Sequence, residues 1–336
     1  MTNKQQRCTI KEVAKAAGVS ISTASIALNH KKGVSPETME RVFEAAKELN
    51  YHVNRSAKAL RSYNSQMIGI IVPEVVNEYY GMMIEYVRKY VESKGYFLII
   101  GITDNKLSNE KRYIRDFISR NIDGLIIVPM LKYSNEISHL EEIQSYGIPV
   151  VSLSAAYAEL DAPCIMCNLS KGMYELTKYM LNRDIRRIAL VAGDKRVDND
   201  YILGFKAAFE ERELQIDEEL IFESDITFEG ALEKSSEILD KNPEAVMTIS
   251  DLMACGIVQA AKSRGLNIPG DLSITGYDDV IYASINQTPI TTVHQPIREM
   301  CKRAVEVLID LIEGAETVSS VELLAPTVVY RDTTKK

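Results

Sequence analysis

Two groups of side chains in this sequence have the chemistry to bind a partner. The first is rich in hydroxyls and comprises Ser20, Ile21, Ser22, Thr23, Ser25 and Ile26. The second combines carboxylates with tyrosine rings and comprises Tyr79, Tyr80, Asp104, Ser154, Arg196, Tyr201, Asp251 and Asp278. Aromatic faces beside carboxylates and a base suit a polyhydroxylated ring, which stacks on its apolar side and is hydrogen-bonded at its rim. Each such aspartate can instead be a helix cap.

Catalytic motifs are missing from the sequence. It has no G-x-S-x-G, no H-E-x-x-H and no phosphate-binding glycine loop, and its four histidines occur singly. Its five cysteines are an odd number, and only Cys164 and Cys167 form a C-x-x-C. Residues three apart in a strand point to opposite faces, so this pair cannot share a metal. We predict no enzymatic activity, no metal and no cofactor.

The hydroxyl-rich group lies in a pattern of two short helices. Thr9 and Glu12 have capping-box spacing, so the first helix begins at Ile10, and Gly18 marks its end. Ser20 can cap a second helix, whose inward face is then Ala24, Ala27 and Leu28. A short helix with a polar tip suits entry into the DNA major groove, which is about 12 Å wide. Two small amphipathic helices of no such function would show the same pattern.

The next segments extend this unit. Ser35-Pro36-Glu37 predicts the start of a third helix, whose apolar stripe is Met39, Val42, Phe43, Ala46 and Leu49. Residues 54–61 are basic and helix-prone but have almost no apolar face. A segment of this length is not helical in water by itself, so we expect it to fold only against a partner.

Charge is divided unevenly along the 336 residues. The net charge is -8, yet residues 1–62 hold 11 Lys and Arg against 5 Glu, whereas the remainder holds 28 against 42 Asp and Glu. A basic head on an acidic body fits phosphate binding at one end. The polar N-terminus is no signal peptide and no run of 18 apolar residues occurs, so we expect a cytoplasmic protein without membrane contact.

From Met67 onward, short apolar runs alternate with helical patterns. Strands without polar alternation, separated by helices, indicate parallel sheets covered on both faces. The length exceeds one such sheet, so we predict two α/β lobes, with the chain crossing between them near Pro163 and at 288–293 and with helix 297–312 returning to the first lobe. Ligands in such lobes bind beyond the carboxyl ends of strands, where the second polar group lies.

The stretch Thr9 to Arg61 resembles the DNA-binding headpiece and hinge helix of the LacI/GalR repressor family. Shared motifs include Gly18-Val19-Ser20, Leu28-Asn29 and Val34-Ser35, together with Asn54, Ala57 and Leu60. The remainder resembles the family's core, which is similar to periplasmic sugar-binding proteins, through pieces such as 68–73 (IGIIVP), 265–273 (GLNIPGDLS) and 276–279 (GYDD).

This resemblance implies the fold class and its division. The fold class is α/β, with an all-α helix-turn-helix headpiece at 1–50 and a hinge helix at 51–63, followed by two doubly wound parallel-sheet lobes. We expect the first lobe at 64–163 and 294–321 and the second at 164–293 and 322–336. The implied DNA contacts are Thr9, Ser20, Ile21, Ser22, Thr23, Ser25, Ile26, Asn29, Asn54, Arg55, Ala57, Lys58 and Leu60.

Three headpiece positions depart from the family pattern. Ile26 stands where many members have a guanine-reading arginine, Val53 replaces a common proline and Lys58 a common arginine. An isoleucine reaches only a thymine methyl or a sugar, so the family's usual operator core is not expected.

The resemblance implies a small-molecule effector between the lobes. Tyr79 and Tyr80 correspond to ring-stacking aromatics, and Asp278 to an acid that holds the effector from the second lobe. Tyr201 replaces a common arginine, Leu153 a common aspartate and Glu78 a common proline. An unusual sugar, a sugar phosphate and a protein corepressor therefore remain alternatives.

The sequence thus predicts a homodimeric transcriptional regulator, a repressor that binds palindromic operator DNA under control of a sugar-like effector. The alternative within the family is a catabolite-control regulator that responds to a phosphorylated carrier protein. An exported binding protein is disfavoured by the basic head, and no heptad segment follows Arg331 to favour a tetramer over a dimer.

Leu60 tests the implied role of the hinge. By the resemblance, paired leucines wedge into the minor groove and kink the duplex. We expect Leu60→Ala to lower specific operator affinity while leaving non-specific binding unchanged, measured by titration against specific and random duplexes at fixed salt. Unchanged specific affinity would refute coupling through the hinge.

Overall fold

A computed structural model describes residues 8–28, 33–49, 51, 65–130, 136–157, 159–194, 199–316 and 320–335. The chain forms two compact units, Met1–Ser65 and Gln66–Lys336. We call them the headpiece and the body. In the described residues, no helix combines the length and apolar character needed to span a membrane.

The described part of the headpiece forms three short helices around a core of small side chains. These are α1 (Ile10–Ala16), α2 (Ile21–Leu28) and α3 (Pro36–Glu48). Val13, Ala24, Ala27 and Val42 are fully buried where the helices meet. The Glu12 carboxylate accepts from the Thr9 backbone N–H at 2.6 Å, which fixes the start of α1 as its sequence predicts.

The body alternates strands and helices. In chain order its elements are β1 (Met67–Val72), α4 (Glu78–Ser93), β2 (Phe97–Ile102), α5 (Leu107–Ser119), β3 (Gly124–Ile127), α6 (Ser138–Ser145), β4 (Val150–Leu153), β5 (Cys164–Cys167), α7 (Leu169–Leu181), β6 (Ile188–Ala192), α8 (Asn199–Glu210), β7 (Ile221–Glu223), α9 (Phe228–Asp240), β8 (Ala245–Thr248), α10 (Asp251–Ser263), β9 (Ser273–Thr275), α11 (Ile281–Ile285), β10 (Thr292–His294), α12 (Ile297–Ile312), β11 (Val321–Leu324) and β12 (Thr327–Val329).

Two parallel sheets organise these elements, as predicted. Among the described residues, the first sheet has the order β11-β5-β4-β3-β1-β2 and the second the order β7-β6-β8-β9. Every strand pairing within either sheet is parallel. We call each sheet with its covering helices a lobe. The first lobe carries one apolar core on the side of α4 and α12 and another on the side of α5 and α6.

The first lobe includes residues beyond its predicted limits at 163 and 321. Strand β5 pairs with β4 and β11, so residues 164–167 and 321–324 both belong to the first lobe. Pro163 is not the crossing because its carbonyl joins the ladder, accepting from Ser152 N–H at 2.8 Å. Proline lacks only the donor, so it can begin a strand. The chain crosses after β5, again around β10, and finally around β12, which pairs antiparallel with β10.

Several short elements carried too weak a pattern to be predicted from the sequence. These include α6, α11, β7 and β10, which span eight residues or fewer. Strands of three residues show no periodicity, so only pairing in the folded chain defines them.

Gly204 and Gly81 test how closely the helices pack. A Cβ at Gly204 would lie 2.1 Å from the Ser170 carbonyl oxygen in α7, whereas one at Gly81 meets nothing within 4 Å. We expect Gly204→Ala to lower the free energy of unfolding by roughly 1–3 kcal/mol because α7 must shift. The matched control Gly81→Ala should raise it by about 0.5–1 kcal/mol through helix propensity. Urea denaturation measures both, and equal effects would contradict this packing.

Candidate functional site

The tip of α2 is held by its own hydroxyls. Ser20 Oγ accepts from the Thr23 backbone N–H at 3.0 Å, which caps the helix. The same oxygen lies 2.8 Å from Thr23 Oγ1 and 3.0 Å from Ser22 Oγ. The predicted cap is therefore present, and the hydroxyls form one connected group at the helix start.

The outward face of α2 differs sharply from its buried face. Ala24 and Ala27 have no exposed surface, whereas Ile21 is 45% exposed. Ser22 is exposed, and Ser25 and Ile26 are half-buried. Helix α2 thus presents hydroxyls and isoleucine side chains outward on a base of alanines.

The remaining predicted contacts with DNA are divided between two regions. Thr9 is exposed at the start of α1. The other predicted contacts lie outside the described part of the chain and stay predictions; they are Asn29, Asn54, Arg55, Ala57, Lys58 and Leu60. The hinge helix stays a prediction for the same reason.

A buried polar cluster joins the two lobes. Tyr79, at the start of α4, donates from its hydroxyl to Gln295 Oε1 at 3.2 Å, and Gln295 Nε2 donates to Asp278 Oδ1 at 2.7 Å. The Tyr79 hydroxyl also lies 2.7 Å from Ser154 Oγ, beyond the end of β4. Since its one hydrogen points to Gln295, Ser154 is the donor in that bond. We call Tyr79, Ser154, Asp278 and Gln295 the junction cluster.

Burial disfavours charge in the junction cluster. It raises the pKa of Asp278 well above its ordinary value, and the nearby Asp251 carboxyl adds to the rise, while the bond from Gln295 opposes it. Burial likewise raises the pKa of Tyr79. Both effects favour the uncharged forms, because a buried charge without a counter-ion is costly.

Three of the predicted ligand residues have a left-handed backbone. Asp104, Ser154 and Asp278 have φ of 51°, 72° and 104°. Such values are uncommon outside glycine and tend to occur at binding sites, where the surrounding structure holds the strain. Asp279, at φ 58°, is held by Arg331 at 2.6 Å and by His294 at 3.0 Å. The turn at residues 278–279 is therefore fixed from several sides.

Asp251 does not line a cleft, although it was predicted as a ligand. It has no exposed surface, and its carboxylate accepts from Val280 N–H at 2.8 Å and from Thr292 Oγ1 at 2.5 Å. Both oxygens already have partners within the protein, so its role is to hold the segment after Asp278. Burial raises the pKa of Asp251 to about 7.

Four predicted ligand residues remain, and two of them are tyrosines whose rings contact other tyrosine rings. Tyr80 is half-buried, with its ring 5.4 Å from that of Tyr79 and nearly perpendicular to it. Tyr201, also half-buried, meets the buried Tyr277 edge-on at 5.0 Å. Asp104 is exposed in the turn after β2, and Arg196 falls outside the described residues.

Gln295 and Glu78 make cross-lobe contacts that the sequence did not indicate. Gln295 is a single amide before Pro296, and only its place at a crossing between the lobes could have drawn attention to it. Glu78 was noted only as a departure from a family pattern, yet its carboxylate accepts from Ile281 N–H at 3.1 Å. Both contacts join segments more than 200 residues apart in sequence.

The C-x-x-C pair lies within β5. Cys164 and Cys167 are buried, and burial raises the pKa of each thiol to about 12. The thiol form, which is a poor metal ligand, is therefore favoured. Among the described residues, no group of three His, Cys, Asp or Glu side chains could hold a metal ion.

Comparison with known proteins decides the family. A model described as bacterial regulatory proteins of the lacI family matches residues 9–54, and one described as a periplasmic binding protein-like domain matches residues 177–334. The HTH-type transcriptional regulator DegA of Bacillus subtilis (strain 168) is 34% identical over 297 residues, which cover 88% of each protein. The chain belongs to the LacI family of bacterial regulators.

Other transcriptional regulators match over nearly the whole chain. The HTH-type transcriptional repressor PurR of Vibrio cholerae serotype O1 (strain M66-2) is 32% identical over 331 residues, covering 97% of this chain and 98% of PurR. The Lac repressor dimer bound to operator and the anti-inducer ONPF has a TM-score of 0.86 at 24% identity, covering 98% of this chain and 99% of that one. The CelR–cellobiose complex has a TM-score of 0.73 at 24% identity, covering 97% and 100%.

These findings confirm the predicted family and fold class. This LacI-family chain is a DNA-binding transcriptional regulator and not an enzyme.

The pH dependence of stability tests the burial of Asp251. Its pKa is about 7 when folded and about 3.8 when unfolded, so the folded state binds more protons between these values and loses stability as the pH rises through them. We expect wild type to lose roughly 2–3 kcal/mol of unfolding free energy relative to Asp251→Asn between pH 5 and pH 8. Urea denaturation at several pH values measures this difference. Asp310→Asn, at an exposed carboxylate, is the control that should follow wild type.

Proposed function

We propose that this LacI-family regulator is a homodimeric repressor of palindromic operator DNA in the cytoplasm, and that a neutral, sugar-like effector bound between its lobes controls it. The observation that carries the proposal is the junction cluster. Its hydrogen bonds run from the first lobe, through a crossing segment, to the second lobe, so a ligand that rearranges them changes how the lobes meet.

The DNA part of the proposal is supported by charge and by the shape of α2. Residues 1–62 carry a net charge of +6 within an acidic protein, which favours contact with phosphates. The first residues of α2, Ile21 and Ser22, are exposed. The first residues of a recognition helix contact base edges in the major groove. Two headpieces related by dimer symmetry would read the two halves of a palindrome.

Exposed apolar side chains in both lobes support a homodimer. Strand β2 lies at an edge of the first sheet, and two of its apolar side chains, Phe97 and Ile100, are exposed. In the second lobe, α11 exposes Ile281, Tyr282 and Ile285. Apolar side chains grouped on one strand and one helix are typical of interfaces between subunits.

The effector assignment rests on the residues around the junction cluster. Tyr80 and Tyr201 offer ring edges and faces, while Ser154, Gln295 and Asp278 offer hydroxyl, amide and carboxyl groups. Such groups pair with the hydroxyls of a sugar without requiring it to be charged. CelR, which has the same fold, was solved as a complex with cellobiose.

Coupling between the sites requires only a modest free energy. A differential affinity of about 1–3 kcal/mol between two arrangements of the lobes changes operator binding roughly 5- to 150-fold. Loss or exchange of one or two hydrogen bonds in the junction cluster is of this size.

Gln295 provides the test of this coupling. After an operator is selected from random duplexes, its affinity is measured with neutral sugars, sugar phosphates, purines and a phosphorylated carrier protein. We expect one neutral sugar to change the operator affinity of wild type roughly 5- to 150-fold. The same sugar should leave the operator affinity of Gln295→Leu unchanged, because leucine cannot link Tyr79 to Asp278. Gln215→Leu, at an exposed glutamine, is the matched control and should respond as wild type does.

The other arms of the experiment separate the alternatives. A response to the phosphorylated carrier protein alone would replace the sugar effector with the catabolite-control function. A sugar response that persists in Gln295→Leu would contradict coupling through the junction cluster.

A further inference from the structure

The outward face of α2 lacks the side chains that usually read DNA bases by paired hydrogen bonds. Residues 21–28 are ISTASIAL, without any charged or amide side chain. At 100° per residue, Ser25, Ser22 and Ile26 lie within about 100° of arc on the side opposite the buried alanines. Ile21 lies at the exposed tip. Neither the bidentate pairing of arginine with guanine nor that of asparagine or glutamine with adenine is available from this helix.

The hydroxyls of this helix and its cap do not discriminate strongly between bases. Ser22 on the outward face and Thr23 beside it each lie within 3.0 Å of the Ser20 hydroxyl oxygen. A hydroxyl both donates and accepts, so it can satisfy the edge of any base or a phosphate oxygen. Discrimination by α2 therefore depends on its two isoleucines.

An isoleucine distinguishes bases by what it leaves unpaired. Thymine alone presents a methyl group in the major groove, at C5, and an aliphatic side chain against it removes apolar surface from water. The same side chain against guanine O6 and N7, or against cytosine N4, leaves polar atoms desolvated without partners. Both terms favour thymine.

We propose that Ile21 and Ile26 are specificity-determining residues, which select A·T pairs in each operator half-site through the C5-methyl groups of thymine. This inference rests on the proposed operator binding and specifies its direct readout. It concerns the base pairs that face α2. The serines of this helix orient the helix on the DNA and do not select bases.

Deoxyuridine provides the sharpest test, because it lacks only the methyl group of thymine. The full-length protein is first used to select a preferred duplex from random sequences. Each thymine of both half-sites is then replaced by deoxyuridine, and affinity is measured by fluorescence anisotropy at constant salt. Removing a contacted methyl should weaken binding about fourfold, and removing the symmetric pair about 15-fold.

Variants assign each methyl to a side chain. Ile26→Ala should bind the thymine duplex more weakly than wild type and lose no further affinity on deoxyuridine substitution at the pair it faces. Ile21→Ala should do the same at a different pair. Lys15→Ala, at an exposed lysine of α1, is the control and should keep the full deoxyuridine penalty whatever its own affinity.

Two further variants guard against a loss of folding, since Ile26 is half-buried. Ile26→Val should keep a reduced deoxyuridine penalty, and Ile26→Arg should shift the selected pair from A·T towards G·C. A preferred duplex that tolerates deoxyuridine throughout, or that has G·C pairs opposite α2, would overturn the inference and leave the proposed function standing. No preference for any duplex would overturn both.

Discussion

Where the chain passes between its lobes, a carboxyl group and an amide are buried and must find partners inside the protein. Asp278 obtains one from Gln295, and Gln295 obtains another from Tyr79, so the chain of bonds is complete only while both lobes are in place. An unsatisfied buried group costs about 1–3 kcal/mol. This chain of hydrogen bonds therefore contributes to the arrangement of the body, and the proposed effector would alter that arrangement by replacing one of its members.

Contacts within the second lobe hold the turn that carries Asp278. The left-handed turn at residues 278–279 is fixed by Arg331 on one side and by the buried Asp251 carboxylate through Val280 on the other. Glu78 reaches the same segment from the first lobe. Strain of this kind persists only where surrounding contacts enforce it, and here those contacts come from both lobes and from the crossing segments.

The headpiece follows a different principle. Its core is formed mainly by alanine and valine, which let three short helices approach closely. Close approach allows α2 to use only its inward side for packing and leaves its outward side for a partner. The hydroxyls at its tip cap the helix and bond to one another, so little of the outward face is required for stability.

The sequence by itself determined the headpiece, both parallel sheets and most helices, because capping residues and long apolar periods are local signals. It also placed Tyr79, Ser154 and Asp278 at strand or helix ends, where a ligand site was expected. Only the tertiary structure decided that Asp251 is enclosed, that Gln295 links the lobes and that β5 belongs to the first sheet. These outcomes depend on pairing and burial between segments far apart in the chain, and no local pattern of residue types encodes which distant partner will satisfy a given polar group.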